Sequence, residues 1–337
     1  MLDIRKLSFG SFVDALKAVA EPTRLRLVLL LARNDLTVSE LTSILGQSQP
    51  RISRHLKLLV ESGVLLRYQE GAWAYFRVSD EATMSGLVRT LVGWVDEGDP
   101  EIRRDLERLE SVRADRARRA ASYFASNAGH WDRIRALHAS DAEVERALLD
   151  ALGARRIGTL LDIGTGTGRL LELLAPRCER AVGVDASREM LAIARTKLDQ
   201  AGIANALVRQ GDAYHLPVER QAFDLVTIHQ VLHYLDDPAA AVAEAARAVA
   251  PGGRMAIIDF APHSLEFLRA EHAHLRLGFS DESLTGYLEE AGLEPVSIQH
   301  LVSKGEQTGE LTVTLCIARD PRLLVADDKS TRSIQAS

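Results

Sequence analysis

The hydrophobic residues between Phe12 and Gly63 recur every three or four positions, which predicts a series of short amphipathic helices. The first two apolar stripes consist of Phe12, Val13, Leu16 and Val19, and then of Leu25, Leu27, Val28, Leu30 and Leu31. A third helix is predicted to begin at Thr37, because Thr37-Val38-Ser39-Glu40 has the spacing of a capping box, and to end at Gly46. A fourth helix follows its predicted N-cap Ser48 and ends at Gly63. Two short helices joined by a tight turn predict a helix-turn-helix.

The fourth helix has an apolar side and a basic side. Its apolar side consists of Ile52, Leu56, Leu59 and Val60, and its polar side consists of Gln49, Arg51, Ser53, Arg54 and Lys57. A short, polar and basic helix face fits the major groove of DNA. Two β-type runs, 64–68 and 72–78, follow across Glu70-Gly71 and predict a hairpin or wing. Arg67 and Arg77 on this wing are candidates for phosphate contacts.

From residue 160 onward, apolar runs of strand length alternate with helical stretches. The predicted strands are 160–163, 181–184, 206–208, 223–230 and 254–260, and the predicted helices are 188–198, 238–249 and 283–291. Such alternation predicts an α/β fold with a parallel, doubly wound sheet and a ligand beyond the carboxyl ends of its strands. Two last runs, 295–302 and 311–318, predict an antiparallel hairpin at the edge of the sheet.

A glycine loop, Asp162-Ile163-Gly164-Thr165-Gly166-Thr167-Gly168, lies between the first of these strands and a helix. Glycines at alternate positions keep side chains out of the turn, so the backbone can approach a ligand at the helix N-terminus. Asp185 ends the second strand about twenty residues later, where an acid can hold a ribose diol. A dinucleotide fingerprint would place its third glycine at position 169, where Arg169 stands. The loop therefore predicts a nucleoside site and disfavours NAD.

Composition and charge assign different partners to the two parts of the chain. The 337 residues are 46% hydrophobic and 26% charged, as expected of a globular protein of two domains. The residues up to Val95 have a net charge of +3 and the remainder −9, which suggests a polyanion for the first part and a small ligand for the second. Cys178 and Cys316 form no C-x-x-C motif, so no disulfide framework or metal site is predicted. No stretch approaches the roughly 20 apolar residues of a membrane span, so we expect a cytoplasmic protein.

The phrases Glu21-Pro22-Thr23-Arg24-Leu25-Arg26 and Ser48-Gln49-Pro50-Arg51-Ile52-Ser53-Arg54-His55-Leu56-Lys57 resemble the winged helix-turn-helix of the ArsR/SmtB family of bacterial repressors. The resemblance covers about residues 12–78 and implies a homodimer, paired through 87–95, on double-stranded DNA with a palindromic operator. The candidate DNA-binding residues are Ser48, Gln49, Arg51, Ser53, Arg54, His55, Lys57, Arg67 and Arg77. For His55, packing or a phosphate contact is favoured over base reading. The cysteine pair of the metal-sensing members is absent from 36–41, so no metal site is predicted there. The alternative is a winged helix that serves only dimerisation, as in many small-molecule O-methyltransferases.

The pattern D-x-G-x-G-x-G resembles motif I of class I S-adenosylmethionine (SAM)-dependent methyltransferases, which have a Rossmann-like fold. The resemblance implies that SAM or S-adenosylhomocysteine (SAH) binds with its methionine part on the three glycines and its amino group near Asp162. By the same resemblance Asp185 binds the ribose hydroxyls and Asp212, after the third strand, accepts a hydrogen bond from the adenine amino group. The implied cofactor-binding residues are Asp162, Gly164, Gly166, Gly168, Asp185, Ala186, Asp212, Ala213 and His229. His233 is the one candidate catalytic base, with simple packing as its alternative.

The sequence is divided into a winged helix-turn-helix at 1–95, a helical linker and lid at 96–150, a methyltransferase-like domain at 151–320 and a tail at 321–337. Residues 101–119 are interpreted as a solvated helix, with pairs such as Asp105 and Arg108. Tyr123, Phe124 and Trp131 after it are candidates for a lid, with packing between helices as the alternative. A known group of bacterial regulators joins these two domains in this order, responds to SAH and controls methionine-cycle genes. The resemblance implies a repressor with a nucleoside sensor. An active methyltransferase of a small molecule, with a winged helix for dimerisation, is the alternative.

Overall fold

The computed structural model describes residues 7–32, 36–70, 73–79, 82–131, 141–154, 156–303 and 311–322. The chain forms two compact units, of which the first comprises Met1–Ala120 with Ser264–Glu271 and the second comprises Ala121–His263 with His272–Ser337. The predicted wing turn at Gly71, part of the predicted lid and nearly all of the predicted tail lie outside the described residues.

Up to residue 93, the described part of the first unit contains five helices and a small antiparallel sheet with the strand order β1-β3-β2. Its elements are α1 (Phe9–Val19), α2 (Pro22–Leu31), β1 (Leu36–Thr37), α3 (Val38–Leu45), α4 (Gln49–Glu61), β2 (Leu65–Glu70), β3 (Trp73–Val78) and α5 (Ala82–Gly93). A sixth helix, α6 (Pro100–Asn127), begins in this unit and ends in the second. The predicted helix-turn-helix with a β hairpin after it is therefore confirmed in outline.

The start of α3 has the capping box that the sequence predicted. The backbone N–H of Glu40 donates to Thr37 Oγ1 at 3.3 Å, and the backbone N–H of Thr37 donates to Glu40 Oε2 at 2.9 Å. Gly46 ends the helix with a φ of +63°, in the left-handed region that favours glycine. These contacts satisfy backbone groups at both ends of α3 and fix where the turn into α4 begins.

The apolar side of α4 lies in the core, as predicted. Ile52, Leu56 and Leu59 are fully buried, and Ser53, Arg54 and Lys57 between them face solvent. The stripe predicted on α1 is only partly correct, since Val19 is buried whereas Phe12 and Leu16 are exposed. α1 therefore has a second apolar face that the described residues do not cover.

The interpretation of 101–119 as a solvated helix is wrong for one face of α6. Asp105 and Leu109 on this face are buried in the first unit. Asp105 accepts two hydrogen bonds from Arg26 on α2, at 2.6 Å from Nε and 2.7 Å from Nη2, rather than pairing with Arg108. The compact first unit consequently continues to Ala120, whereas the sequence suggested a boundary after residue 95.

The second unit contains a seven-stranded sheet with the order β6-β5-β4-β7-β8-β10-β9. Its strands are β4 (Ile157–Ile163), β5 (Cys178–Asp185), β6 (Ala206–Gln210), β7 (Phe223–His229), β8 (Val249–Phe260), β9 (Glu294–Ser303) and β10 (Leu311–Arg319). The helices that follow α6 are α7 (Asp141–Leu152), α8 (Arg169–Leu174), α9 (Arg188–Gln200), α10 (Pro238–Ala248), α11 (Phe267–Glu271), which belongs to the first unit, and α12 (Asp281–Glu290). The pairs among β4 to β8 are parallel, and β10 is antiparallel to both β8 and β9. The predicted doubly wound α/β fold with an antiparallel final pair is confirmed.

The parallel register brings the ends of three strands to one edge of the sheet. Ile163 at the end of β4 lies beside Val184 of β5 on one side and Ile228 of β7 on the other. All three side chains are buried in the central sheet, so the residues that follow them emerge together. Among the described helices none is both long and apolar enough to cross a lipid bilayer.

Candidate nucleoside site and DNA-binding surface

The glycine loop leaves the sheet directly after β4. The backbone N–H groups of Gly164 and Thr165 donate to the carbonyl of Val184, at 2.7 and 3.0 Å. Gly164, Gly166 and Gly168 have φ values of +67°, +54° and +86°, which side-chain-bearing residues rarely adopt. A Cβ at Gly164 would also come within 3.0 Å of Val231 Cγ1 and closer still to Cγ2. Glycine is therefore required here by backbone conformation and by lack of space.

Asp185, at the end of β5, is bonded to the glycine loop. Its Oδ2 accepts from the backbone N–H of Gly166 at 2.8 Å, and its Oδ1 accepts from the N–H of Ser187 at 2.8 Å. Burial raises the pKa of the Asp185 carboxyl, and these backbone N–H groups oppose that rise. Each carboxylate oxygen keeps a further lone pair with which it can accept a ligand hydroxyl.

Asp162, the acid at the start of the motif, is buried within the sheet. Its Oδ1 accepts from Thr227 Oγ1 on β7 at 2.6 Å. This bond ties the end of β4 to its neighbouring strand.

The other predicted cofactor residues lie at or near the carboxyl ends of β5, β6 and β7. The carbonyl of Asp185 accepts from the N–H of Gly211, which places the exposed Asp212 next to the end of β5. Asp212 Oδ1 accepts from the backbone N–H of Tyr214 at 3.0 Å, forming a turn. Ala186 is exposed, Ala213 packs against the core and His229 is the half-buried last residue of β7.

Two further polar side chains at this edge were not singled out from the sequence. Thr165 Oγ1 and Gln230 Nε2 are buried, and neither has a hydrogen-bond partner among the described residues. A buried polar group without a partner costs free energy, so a polar ligand at the end of β7 would satisfy the Gln230 amide. Thr165 Oγ1 instead lies against β5, 2.8 Å from the position that a Cβ on Gly183 would occupy. The Gln230 amide, the glycine loop and Asp185 together fit a nucleoside that carries amino and carboxylate groups. Polar residues directly after buried strands were the available sequence signal.

An aromatic cluster, defined as Tyr123, Phe124, Trp131 and Tyr234, packs beside the glycine loop. Trp131 Nε1 lies 3.5 Å from the position that a Cβ on Gly166 would occupy. The ring centroid of Phe124 lies 5.3 Å from that of Trp131 and 4.8 Å from that of Tyr234. Burial raises the pKa of Tyr123 to about 12. The predicted lid residues thus pack on one another and also lie against the loop.

The candidate base His233 is buried, with 1% of its side chain exposed. Its Nδ1 lies 2.7 Å from Asp259 Oδ1, and its ring centroid lies 4.0 Å from that of Tyr234 and 4.1 Å from that of His274. The sequence offered a signal for this partner, since Asp259 directly follows the apolar run 255–258 in this strand and a buried acid needs a hydrogen bond.

The basic residues of α4 form an exposed surface on the first unit. Exposed members of the predicted DNA-binding set are Ser48, Gln49, Arg51, Ser53, Arg54 and Lys57. Ser48 is the N-cap residue as predicted, although its side chain makes no capping hydrogen bond within α4. His55 is half-buried, and its Nδ1 lies 3.5 Å from Glu21 Oε2. His55 thus faces its own domain, whereas the arginines face solvent.

The two wing arginines differ in exposure. Arg67 on β2 is exposed, and its Nη2 donates to Gln69 Oε1 at 3.2 Å. The guanidinium of Arg77 on β3 is half-buried and lies 5.3 Å from the centroid of the Tyr68 ring. Arg67 is therefore more accessible to a phosphate than Arg77.

Comparison with known proteins divides the chain in the same way. Residues 21–65 match the model of the arsR family of bacterial regulatory proteins, and 161–257 match a methyltransferase domain. The chain is 42% identical over 86 residues to the arsenic resistance transcriptional regulator ArsR1 of Pseudomonas putida, covering 23% of this chain and 67% of that protein. It is 35% identical over 104 residues to the uncharacterized methyltransferase YcgJ of Bacillus subtilis, covering 31% of this chain and 41% of that protein.

The fold of the second unit also has a solved counterpart. The N-methyltransferase NodS from Bradyrhizobium japonicum WM9, solved in complex with SAH, aligns with a TM-score of 0.50 and 21% identity. The alignment covers 60% of this chain and 99% of NodS. The chain spans between a third and about two fifths of the length of the first curated relatives that it matches. By its two matched regions, the chain belongs to the arsR family of bacterial regulatory proteins and carries, after that winged helix, a class I SAM-dependent methyltransferase domain.

Proposed function

We propose that this protein is a dimeric transcriptional repressor whose methyltransferase-like domain senses SAM or SAH. One observation carries the DNA-binding part of the proposal: α4 buries Ile52, Leu56 and Leu59 and leaves Arg51, Arg54 and Lys57 exposed together. A helix used only for dimerisation has no need of three exposed cations on one surface. The same residues on α4 fit contacts to phosphates and base edges in a major groove.

The sensing part of the proposal rests on the glycine loop and its polar neighbours. Gly164, Gly166 and Gly168 would lie along the methionine part, and Asp185 would accept from the ribose hydroxyls. Asp212, Ala186, Ala213 and His229 would lie around the remainder of the nucleoside, and Gln230 would satisfy its buried amide against the ligand. SAH is the product of every SAM-dependent methylation. Genes that recycle it in the methionine cycle are therefore fitting targets for a regulator that senses it in the cytoplasm.

The apolar face of α1 supports the homodimer. Phe9, Phe12 and Leu16 lie on one side of the helix and are 85%, 41% and 37% exposed. Trp94, directly after α5, is 80% exposed. Of the apolar residues predicted to pair protomers at 87–95, Leu87, Leu91 and Val92 pack against the core of the first unit. A second copy of the chain would cover this face and bring two copies of α4 to a palindromic operator.

A titration of DNA binding with nucleoside tests the proposed function. A palindromic duplex selected by the full-length protein from a random pool would be titrated at physiological salt, without nucleoside, with SAM and with SAH. We expect a specific Kd that shifts with at least one nucleoside, because an effector acts by its differential affinity for two states. Absence of specific DNA binding would refute the repressor, and absence of SAM and SAH binding in calorimetry would refute the sensor.

Catalysis by the second domain is a further candidate function, and one contact favours it. The pairing of His233 Nδ1 with Asp259 is the arrangement that orients a histidine base. The burial of His233 supports the packing role instead. If His233 is a base, His233→Asn would abolish methyl transfer while leaving SAH affinity unchanged. If it only packs, the substitution would lower the stability of the second unit, and any methyl transfer by the wild-type protein would persist in the folded variant.

A further inference from the structure

One helix belongs to both compact units. α6 runs without interruption from Pro100 to Asn127, while the boundary between the units falls at Ala120. Its first part packs on the winged helix-turn-helix, and its last turns carry Tyr123 and Phe124 of the aromatic cluster. The contacts of its first part therefore lie near the candidate DNA-binding helix, and those of its last turns lie near the glycine loop.

In the first unit, α6 holds both ends of α3, the helix before the recognition helix. Arg116 Nε donates to Glu40 Oε1 at 3.0 Å, while Glu40 Oε2 belongs to the capping box at the start of α3. Arg108 Nη1 donates to the carbonyl of Ile44 at 2.8 Å, in the last turn of α3. The same Arg108 Nη1 lies 3.3 Å from the position of a Cβ on Gly46, in the turn that leads to α4. We define these as the α6–α3 contacts.

Two more residues anchor α6 to the same domain. Asp105 accepts both hydrogen bonds of a fork from Arg26, and Glu101 accepts from Arg26 Nη1 at 2.5 Å. Paired hydrogen bonds between a guanidinium and a carboxylate fix orientation as well as distance. Displacement of α6 along or about its axis therefore acts on α2 and α3 together.

In the second unit, the end of α6 lies in the cluster that packs against the glycine loop. Tyr123 Oη lies 2.7 Å from His272 Nδ1, and its ring meets that of Trp131 with 6.4 Å between centroids. Trp131 in turn approaches Gly166, whose N–H is bonded to Asp185. A nucleoside on the loop would occupy space that Trp131 borders, so it changes the packing available to the end of α6.

We propose that α6 couples nucleoside occupancy to DNA binding, with the α6–α3 contacts as its output on the helix-turn-helix. This inference rests on the proposed function and names how the two sites are regulated. Movement of the aromatic cluster shifts the end of α6, the continuous helix carries the shift to Arg108 and Arg116, and these reposition α3 and with it α4. Arg108 and Arg116 are positioning residues, since neither is assigned to DNA or to nucleoside.

A pair of matched variants tests the continuity of α6. Arg118 and Arg119 are exposed, and Arg118 is ion-paired with Asp115 on the same helix. Arg118→Ala/Arg119→Ala and Arg118→Gly/Arg119→Gly remove the same side chains, but only the glycine pair weakens the helix between its two ends. The full-length proteins would be compared by fluorescence anisotropy on the selected duplex, with and without saturating SAH. SAH affinity would be measured by calorimetry.

We expect SAH to change the duplex Kd by about fivefold or more in the wild-type protein and in the alanine pair. In the glycine pair the change should fall below about twofold, with duplex affinity without SAH, and SAH affinity, both within about twofold of wild type. An equal SAH effect in both pairs would overturn the inference. A wild-type protein that binds SAH and duplex independently would overturn it too, and would leave both binding activities of the proposed function standing. Loss of either binding activity in the wild-type protein would instead refute the proposed function.

A variant in the α6–α3 contacts distinguishes an effect on the coupling between SAH and DNA binding from an effect on stability. Glu40→Gln keeps an acceptor for the capping box and removes the charge that Arg116 binds. We expect unchanged CD spectra and duplex affinity but a diminished SAH effect. Hydrogen exchange of the α3 amides should respond to SAH in the wild-type protein and respond less in this variant. Unaltered coupling and exchange in Glu40→Gln would refute the role of the α6–α3 contacts.

Discussion

The carboxylate of Asp185 and the backbone N–H of Gly166 are joined by a hydrogen bond of 2.8 Å, although nineteen positions separate them in sequence. The bond fixes the middle of the glycine loop to the end of the neighbouring strand. The acid that is proposed to bind the ribose therefore also shapes the loop that is proposed to bind the methionine part.

Asp185→Ala is expected to weaken SAH binding by roughly 10- to 150-fold, because a hydrogen bond to a charged group contributes about 1.5–3 kcal/mol. Isothermal titration calorimetry on the full-length protein would measure the loss. Asp199→Ala, an exposed acid on α9, is the matched control and should bind SAH as wild type does. Unchanged affinity in Asp185→Ala would exclude the ribose role, and DNA binding without SAH should persist in either variant.

SAH affinity should fall on acidification, starting at a higher pH than for an ordinary aspartate of pKa about 3.9. Burial raises the pKa of Asp185, and protonation removes the acceptor that the ribose hydroxyls use. The affinity is therefore full above the raised pKa and lost below it. Calorimetry between about pH 4 and pH 7 would show this. The dependence should largely disappear in Asp185→Asn, and a persistent dependence would assign it to another group.

Gly164→Ala should destabilise the second domain more than Gly202→Ala does. Both glycines have a φ of +67°, so each substitution meets the left-handed strain of about 1–2 kcal/mol. Gly202 has no atom within 4 Å of an added Cβ, whereas Gly164 faces the side chain of Val231. Urea unfolding would measure the difference, and SAH affinity should drop only for Gly164→Ala. Equal losses would contradict the close approach of Val231.

Arg54→Ala should weaken binding to the selected duplex by about 1–3 kcal/mol and lower its salt dependence, while SAH affinity stays unchanged. Arg104→Ala, an exposed arginine on α6, serves as the comparison and should leave duplex affinity within about twofold. Gel shifts at several salt concentrations would distinguish the two. An unaltered shift with Arg54→Ala would count against α4 as the recognition helix.

Phe9→Ser/Phe12→Ser should convert the dimer to monomer and thereby lose cooperative binding to a palindrome. The two side chains present apolar area that a partner copy would bury. Leu207→Ser removes a 39%-exposed apolar residue from the other unit and should leave the oligomeric state unchanged. Sedimentation velocity would measure both, and a wild-type monomer would remove the basis for the prediction.

Much of the fold follows from local patterns in the sequence. Three predicted features depend only on nearby residues, and the structure contains all three. They are the capping box at Thr37, the apolar side of α4, and the succession of strand, glycine loop and helix after residue 160. The antiparallel pair β9 and β10 could be predicted as well, because a polar stretch of sequence separates two apolar runs of strand length.

Other features depend on contacts that local spacing does not encode. Asp105 pairs with Arg26, which lies 79 positions away in sequence. The predicted pairing with Arg108, three positions away on the same helix, was therefore wrong. Arg169 Nε donates to Glu145 Oε1 at 2.6 Å. No local pattern around either residue predicted this ion pair. Similarly, Asp259 could be recognised as a polar residue in an apolar strand, but its partner His233 required the fold.

The burial of Leu109 bears on where the protein can be cut. A fragment that stops at residue 95 would leave a hole in the first domain and would strand the Arg26 guanidinium without its carboxylates. Such a truncated DNA-binding fragment should be unstable or aggregate, whereas a fragment that ends at Ala120 retains these partners. Evolution faces the same restriction, because exchanging the sensor domain for another requires a junction beyond the buried part of α6.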